Sequence, residues 1–186
     1  LKPVKMISGT PYAGVTRQYT IASAYNTNIF CGDAVKLVTA GTIERDTADA
    51  AMISIGIFMG CSYTDPGTNQ KTFKQYWPAS TVASDAKGYV VDATDVLFKA
   101  AVVSATTTIG DLALTDLGAN VAGVDNSGST TTGNSKIAIL DTSATTNTLP
   151  FRIVELVDET KNSSGGFTEA LVKWNAGHLM NNTTGI

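Results

Sequence analysis

Short apolar runs separated by turn residues follow one another along most of the chain. The run ISIGIFM at residues 53–59 is almost continuously apolar, which is typical of a strand buried on both faces. Asp65-Pro66-Gly67 comes shortly after it and has the residue types of a type II turn. The same alternation of runs and turns predicts strands at residues 20–24, 34–38, 71–77, 88–92, 96–104, 109–114, 136–140, 151–157 and 170–174.

Helical periodicity is scarce between these runs. Residues 42–52 combine helix formers with a Thr that can cap a helix, which leaves open either a short helix or no helix there. No amphipathic stretch of about 10–15 residues separates consecutive strands, so parallel βαβ units are not expected. We therefore predict an all-β fold, mainly an antiparallel β-barrel or sandwich, with few short helices.

The turn-forming residues also suggest how the chain is divided. Residues 1–16 contain two prolines and two glycines without a core periodicity, which predicts an extended N-terminal arm that docks onto another chain. Residues 17–186 are predicted to form a single β-rich domain, with a long flexible loop at residues 115–135, where Gly, Asn, Ser and Thr are concentrated. Gly32-Asp33 and Gly110-Asp111 each precede a short apolar run, and we interpret this echo as turn chemistry rather than as an internal repeat.

Composition and charge narrow the function classes. Hydrophobic residues make up 43% of the chain, charged residues only 16%, and the net charge is −3. Thr and Ser are abundant, and uncharged side chains of this kind are inexpensive to bury against a neighbouring subunit. Because no cluster of Lys and Arg forms a basic face, nucleic-acid binding is not expected. The apolar runs are far shorter than the ~20 residues of a membrane span, and the first residues show no sign of a signal peptide.

Residues that support catalysis or metal binding are few. The chain has one histidine, His178, and two cysteines, Cys31 and Cys61, without HExxH or CxxC spacing. We therefore predict no catalytic, cofactor-binding or metal-ligating residue, no small-molecule substrate and no enzymatic activity. His178 is interpreted as part of a polar tail or a subunit contact. The cysteines are expected to be buried reduced thiols, with a single disulfide as the alternative.

Three further patterns have structural interpretations. Residues 128–136 (GSTTTGNSK) resemble a phosphate-binding loop, but Asn134 stands where the lysine is required and a strand-like run follows. The carboxylate pairs Asp46/Asp49 and Asp92/Asp95 are expected to lie on a solvated surface. An aromatic segment, consisting of Tyr63, Phe73, Tyr76 and Trp77, is expected to fill a core or an interface, with a sugar-stacking platform as the alternative.

The order of several segments carries a family resemblance. FCGDAVKL, IGIFMGCSYTDPGTNQKTFKQYW, GYVVDATDVLFKAAV, IGDLALTDLGAN, GSTTTGNSKIAIL, LPFRIVEL and EALVKWNAGHLM follow one another between residues of about 30 and 180. Together they resemble small tailed-phage virion proteins that decorate or cement the capsid surface.

This resemblance implies a non-enzymatic, β-rich protein of the virion that is made in the host cytoplasm and binds the outside of the shell. Its partners would be the major capsid protein and further copies of itself, as a homotrimer or homodimer. The alternative is a head-fibre or tail-associated component that binds a receptor or glycan. The interface candidates are Pro3, Val4, Met6, Ile7, Pro11, Tyr12, Tyr76 and Trp77.

Overall fold

The computed structural model describes residues 1–160, 167–182 and 185–186. In these residues, regular structure consists of strands and three short 3-10 turns, which confirms the predicted all-β fold. The strands are β1 (Lys2–Met6), β2 (Arg17–Ile21), β3 (Ala34–Leu37), β4 (Thr42–Arg45), β5 (Gly56–Thr64), β6 (Lys71–Lys74), β7 (Lys87–Val91), β8 (Val96–Val103), β9 (Asn120–Val121), β10 (Gly123–Val124), β11 (Ala138–Leu140), β12 (Phe151–Leu156) and β13 (Glu169–Trp174). The 3-10 turns are Asp49–Ala51, Leu114–Asp116 and Leu179–Asn181.

The first sheet curls into a small barrel. Its pairings run from β3 through β4, β2 and β7 to β5, and β5 pairs again with β3. Strand β6 is added to the far half of β5 and lies outside this ring. The barrel interior is filled by apolar side chains such as Ile21, Ile43, Phe58 and Trp77, all of which are fully buried. We call this unit the first barrel.

The second sheet curls in the same manner. Its order is β10, β11, β8, β13, β12 and β9, and only Ala122 separates β9 from β10 along the chain. The two ends of the sheet therefore belong to one nearly continuous stretch, residues 120–124, and the sheet closes around its own core. Phe98, Phe151 and Trp174 pack against one another in this core. We call this unit the second barrel.

The two barrels repeat one topology strand for strand. Strands β2, β3, β4, β5 and β7 of the first barrel correspond to β8, β9 with β10, β11, β12 and β13 of the second. In the first barrel, β2 is parallel to β4 and antiparallel to β7. In the second, β8 is likewise parallel to β11 and antiparallel to β13. A β-bulge falls at the corresponding place, between Phe58 and Gly60 in β5 and between Ile153 and Glu155 in β12. Because a β-bulge bends its strand, bulges at equivalent positions indicate that the two barrels curve in the same way.

A pair of glycines marks the same turn in both barrels. Gly32 has φ +100° and its N–H donates to the Phe58 carbonyl at 2.7 Å. Gly118 has φ +85° and its N–H donates to the Ile153 carbonyl at 3.0 Å. Both occupy the left-handed region that glycine tolerates without strain. The equivalent of Gly32 is therefore Gly118 rather than Gly110, so the sequence echo between Gly32-Asp33 and Gly110-Asp111 does not mark the repeated topology.

The barrels are packed together by a shared cluster of apolar side chains. Ala34, Ile57 and Val91 come from the first barrel, and they are buried together with Phe98 and Val172 of the second. Burial of apolar area at this junction favours a fixed relation between the two barrels, since roughly 25 cal/mol is gained for each Å² removed from water.

The N-terminal segment differs from the predicted arm. Residues 2–6 form β1, which pairs antiparallel with β8 in the chain's own second sheet. The chain then turns back, and the Tyr12 N–H donates to the Val4 carbonyl at 3.0 Å. Residues 2–12, called the N-terminal hairpin below, therefore belong to the folded body. The expectation that all of residues 1–16 dock onto another chain was therefore wrong for β1. The strand was missed because five residues that include a proline are too few to show a strand periodicity.

Three loop and element predictions also require correction. Residues 120–124 lie within the predicted 115–135 loop, yet they form β9 and β10 and are buried. Residues 42–45 form β4, so only a 3-10 turn at 49–51 remains of the helix left open at 42–52. Residues 109–114 form no strand, although Ile109 makes an isolated bridge to Val103. Pairing with other segments decides the conformation of residues 42–45 and 120–124, which local propensity did not indicate.

Candidate functional site

No cluster of three or more His, Cys, Asp or Glu side chains suited to a metal ion occurs in the part of the chain that the structure describes. Among the same residues, no helix is long and apolar enough to cross a membrane. The remaining candidates for a functional site are the buried titratable groups and the exposed apolar surface.

His178 is fully buried, and its interpretation as part of a polar tail or subunit contact is not supported. Its Nδ1 accepts the N–H of Met180 at 3.1 Å, which places the proton of the neutral ring on Nε2. That Nε2 is buried without a hydrogen-bond partner, and the ring packs edge-on against Trp174. Burial lowers the pKa of His178 because it disfavours the charged imidazolium. As a neutral side chain, His178 caps the 3-10 turn Leu179–Asn181.

A buried ionic cluster joins the two barrels. Arg45, at the end of β4, lies 3.3 Å from Asp33 of the first barrel and pairs with Asp125 of the second. The same guanidinium donates to the Asn126 carbonyl at 2.9 Å. Burial raises the pKa of Asp33 and of Asp125, although the charge of Arg45 opposes this effect. Arg45 thus connects Asp33 of its own barrel to Asp125 and Asn126 of the other, which indicates a structural role at the barrel junction.

The carboxylate pairs are less solvated than predicted. Asp46 is buried and accepts hydrogen bonds from the Ser54 hydroxyl at 2.8 Å and the Ile53 N–H at 3.0 Å. Asp92 is half-buried and accepts from the Tyr19 hydroxyl at 2.8 Å. These bonds hold the loops that follow the strands. The expected surface location was therefore wrong for Asp46, which is buried, and only partly right for Asp92, which is half-buried. Neither contact was visible in the sequence, because the donors come from other elements.

The cysteines are separate free thiols. Cys61 is buried in the first barrel, and burial raises its pKa to about 12, so it does not act as a thiolate near neutral pH. Cys31 is half-buried, and burial raises its pKa as well. The structure thus has the reduced thiols that the sequence favoured, without the alternative disulfide.

The loop that resembles a phosphate-binding motif is a turn. The Gly133 N–H donates to the Ser129 carbonyl at 2.7 Å, and the Ser129 N–H donates to the Asn134 carbonyl at 3.0 Å. Strand β11 follows at residue 138 where a phosphate site requires a helix N-terminus. The structural interpretation of this loop is therefore confirmed.

The aromatic segment is divided between the core and the surface. Trp77 and Tyr63 are buried and pack edge-on in the first barrel, with ring centroids 5.3 Å apart. Tyr76 is half-buried and stacks on Phe30 at 5.6 Å. Phe73 is 71% exposed on the outer strand β6. Trp77 is thus unavailable as an interface residue, whereas Tyr76 and Phe73 reach the surface.

The N-terminal hairpin collects most of the other predicted interface residues. Val4, Ile7 and Pro11 are exposed, Met6 and Tyr12 are half-buried, and Pro3 is buried against the chain's own fold. Val15, which the sequence did not single out, follows the hairpin and is 72% exposed. Exposed apolar side chains are therefore concentrated in one stretch of chain, and such a concentration is typical of an interaction site. We take this hairpin surface, Val4, Ile7, Pro11 and Val15, as the candidate functional site.

The hairpin surface is held firmly in position. Strand β1 pairs with β8, the Ile7 N–H donates to the Asp95 carbonyl at 2.7 Å, and Lys5 forms an ion pair with Glu155 at 2.6 Å. The Tyr12 hydroxyl donates to the Val15 carbonyl at 2.6 Å. Because the backbone is already ordered, little conformational entropy remains to be lost when a partner binds.

Comparison with protein-family models, with curated proteins and with solved structures finds no match to this chain.

Proposed function

We propose that this protein is a structural component of a tailed-phage virion that binds the outer surface of the capsid and stabilises the shell. The observation that carries the proposal is the hairpin surface, where apolar side chains are displayed on a rigid double barrel. The class of partner is taken from the sequence segments whose order along the chain resembles that of capsid decoration proteins. In this proposal the protein acts mechanically rather than as an enzyme.

The geometry suits a clamp made of many weak contacts. The hairpin surface offers Val4, Ile7 and Val15 for burial against a major capsid subunit, and each fully buried aliphatic side chain contributes about 1.5–3 kcal/mol. Repetition over a lattice of identical subunits, together with self-association as a dimer or trimer, converts modest affinity into avidity. The low charge of the chain limits the cost of desolvation at these contacts.

The proposal is tested by DNA release from filled heads over a temperature ramp. Heads stripped of the protein are expected to release DNA at a lower temperature, and adding the purified protein should restore the threshold. The double variant Val4→Asp/Ile7→Asp should restore much less, because it places carboxylates in the contact. Leu114→Asp is the matched control, since Leu114 is exposed at 65% on a separate 3-10 turn. Equal release temperatures with and without the protein would refute the stabilising role.

A second candidate function is binding of a receptor glycan, and the exposure of Phe73 favours it. Phe73 and Tyr76 border a groove of about 370 Å³ that is also lined by Thr130, Thr131 and Thr132. An exposed ring can stack on a sugar while hydroxyls bind its polar groups. Titration with a panel of host surface saccharides should shift the Phe73 ring resonances saturably, and Phe73→Ala should abolish binding. Unchanged spectra would eliminate this candidate, and loss of adsorption in stripped particles would support it.

A further inference from the structure

The correspondence between the barrels identifies an edge that is covered in one and open in the other. Val90 of β7 and Val172 of β13 are equivalent, because they lie opposite Phe58 and Ile153 at the two matching bulges. Arg17 pairs with Val90 and Phe98 pairs with Val172, so Arg17 of β2 corresponds to Phe98 of β8. Continuing this register, residues 15–18 correspond to residues 96–99.

In the second barrel this edge is occupied. Strand β1 pairs antiparallel with residues 96–99 of β8, on the side where β11 pairs further along the same strand. Pro3 of β1 lies opposite Phe98, and Met6 lies opposite Val96. Val96 is completely buried as a result of this pairing and the packing beneath it.

In the first barrel the same edge has no strand beside it in the described part of the chain. Strand β4 pairs with residues 20–21 of β2, as β11 does with β8, but nothing corresponds to β1. Residues 15–18 are all exposed, and Val15 is 72% exposed where its counterpart Val96 is 0%. The Val15 carbonyl accepts the Tyr12 hydroxyl, but an edge without a neighbouring strand still presents backbone donors and acceptors to an extended segment that can reach it.

We infer that residues 15–18, the open edge at the start of β2 and the two residues before it, are a strand-acceptor site, which binds an extended segment of another protein antiparallel to β2 with a carboxylate opposite Arg17. The direction follows from the β1–β8 pair, which shows how this topology accepts a strand. The carboxylate is inferred from charge. Arg17 already pairs through Nε with Asp92 at 3.1 Å, but its side chain is still 65% exposed, so the guanidinium can bind a second carboxylate where the second barrel has a buried Phe98. Backbone pairing would supply affinity and the cross-strand ion pair would supply selectivity.

This site adjoins the hairpin surface, because Val15 belongs to both. A partner bound at the hairpin surface could therefore bury apolar side chains and also add a strand beside residues 15–18. The inference concerns the chemistry of the edge and holds whether or not the natural partner is a capsid subunit.

Synthetic strands test the site directly. The probe is a peptide with the sequence of residues 2–7 carrying Pro3→Glu, titrated into the full-length protein while amide exchange is followed by NMR. In the free protein the amides on the open side of residues 15–18 should exchange rapidly, whereas those of residues 96–99 should be protected. Added peptide should protect residues 15–18 saturably.

Two controls separate strand addition from other binding. A peptide carrying Pro3→Lys should bind roughly two- to fivefold more weakly, as expected for a cross-strand charge pair, and Arg17→Gln protein should bind both peptides equally. A Pro3→Glu peptide N-methylated at alternate positions should lose at least about tenfold in affinity, because its backbone cannot pair.

Three outcomes would overturn the inference. The first is unchanged exchange at residues 15–18 up to millimolar peptide, and the second is equal binding of the N-methylated peptide. The third is protection of residues 15–18 in free protein that sediments as a dimer, which would make the occupant a second copy of this chain. Each of these is independent of the DNA-release assay, so the proposed function and the strand-acceptor site can fail separately.

Discussion

Replacing Arg45 with Met is the most informative perturbation of the fold. Met preserves much of the side-chain volume but removes the positive charge that faces Asp33 and Asp125. Asp33 is 1% exposed and Arg45 is 9% exposed, so solvent cannot replace the lost partner. Removing one member of a buried ion pair typically costs about 3–5 kcal/mol, because an uncompensated charge remains in a low-dielectric environment.

The cost should depend on pH. Burial already raises the pKa of Asp33 and Asp125, and loss of Arg45 raises both further. The native variant therefore binds protons at a higher pH than the unfolded chain, so its relative stability increases as the pH falls towards the ordinary carboxyl range. We expect a deficit of about 3 kcal/mol near neutral pH that becomes smaller at about pH 5.

Denaturant unfolding followed by tryptophan fluorescence measures this deficit, since Trp77 is buried in the first barrel and Trp174 in the second and the combined signal therefore covers both. Lys71→Met is the matched control, because Lys71 pairs with Asp85 where both side chains are more than two-fifths exposed. Exposed pairs contribute at most about 1 kcal/mol. If Arg45→Met unfolds within about 1 kcal/mol of the parent protein, or if the control costs as much, the buried cluster does not stabilise the barrel junction.

Three further predictions use other residues. Cys61→Ala should lower the free energy of unfolding by roughly 1–2 kcal/mol through lost buried volume, while reductant should leave the melting temperature of the parent unchanged. Deleting residues 1–6 should lower the melting temperature measured by calorimetry, because it uncovers the β8 edge and buried Val96; an unchanged value would show that β1 is dispensable. The depressed pKa of His178 means that the unfolded chain binds its proton first, so stability should fall as the pH drops through the ordinary histidine range, and His178→Gln should remove that slope in pH-dependent urea titrations.

Much of the fold was predictable because strands with a continuous or alternating apolar pattern can be recognised from the local sequence alone. Residues 53–59, 96–104 and 151–157 all overlap strands of the structure, and the low helical content follows from the same pattern. The elements that were missed are short or contain residues unfavourable in strands. Strand β1 contains Pro3, and β10 contains Gly123, so propensity alone argues against both.

The candidate site was predictable only in part. Val4, Ile7 and Pro11 are exposed as expected of interface residues, because a chain segment without core periodicity tends to retain surface. Pro3 and Trp77 are buried, and nothing in their local sequence distinguishes them from their exposed neighbours. Val15 was missed because a single valine between Gly14 and Thr16 has no pattern of its own.

The class of fold and the positions of the main apolar strands could be read from the sequence, since both depend on composition and on neighbours along the chain. The pairing of β1 with β8, the contacts of Arg45 with Asp33 and Asp125, and the repeated topology of the two barrels emerge only from the folded structure, because they join segments far apart in the sequence. Backbone hydrogen bonds are almost independent of side-chain identity, so two segments can keep the same register after their sequences have diverged. The open edge at residues 15–18 follows from that register, and it becomes visible only when the two barrels are compared strand by strand.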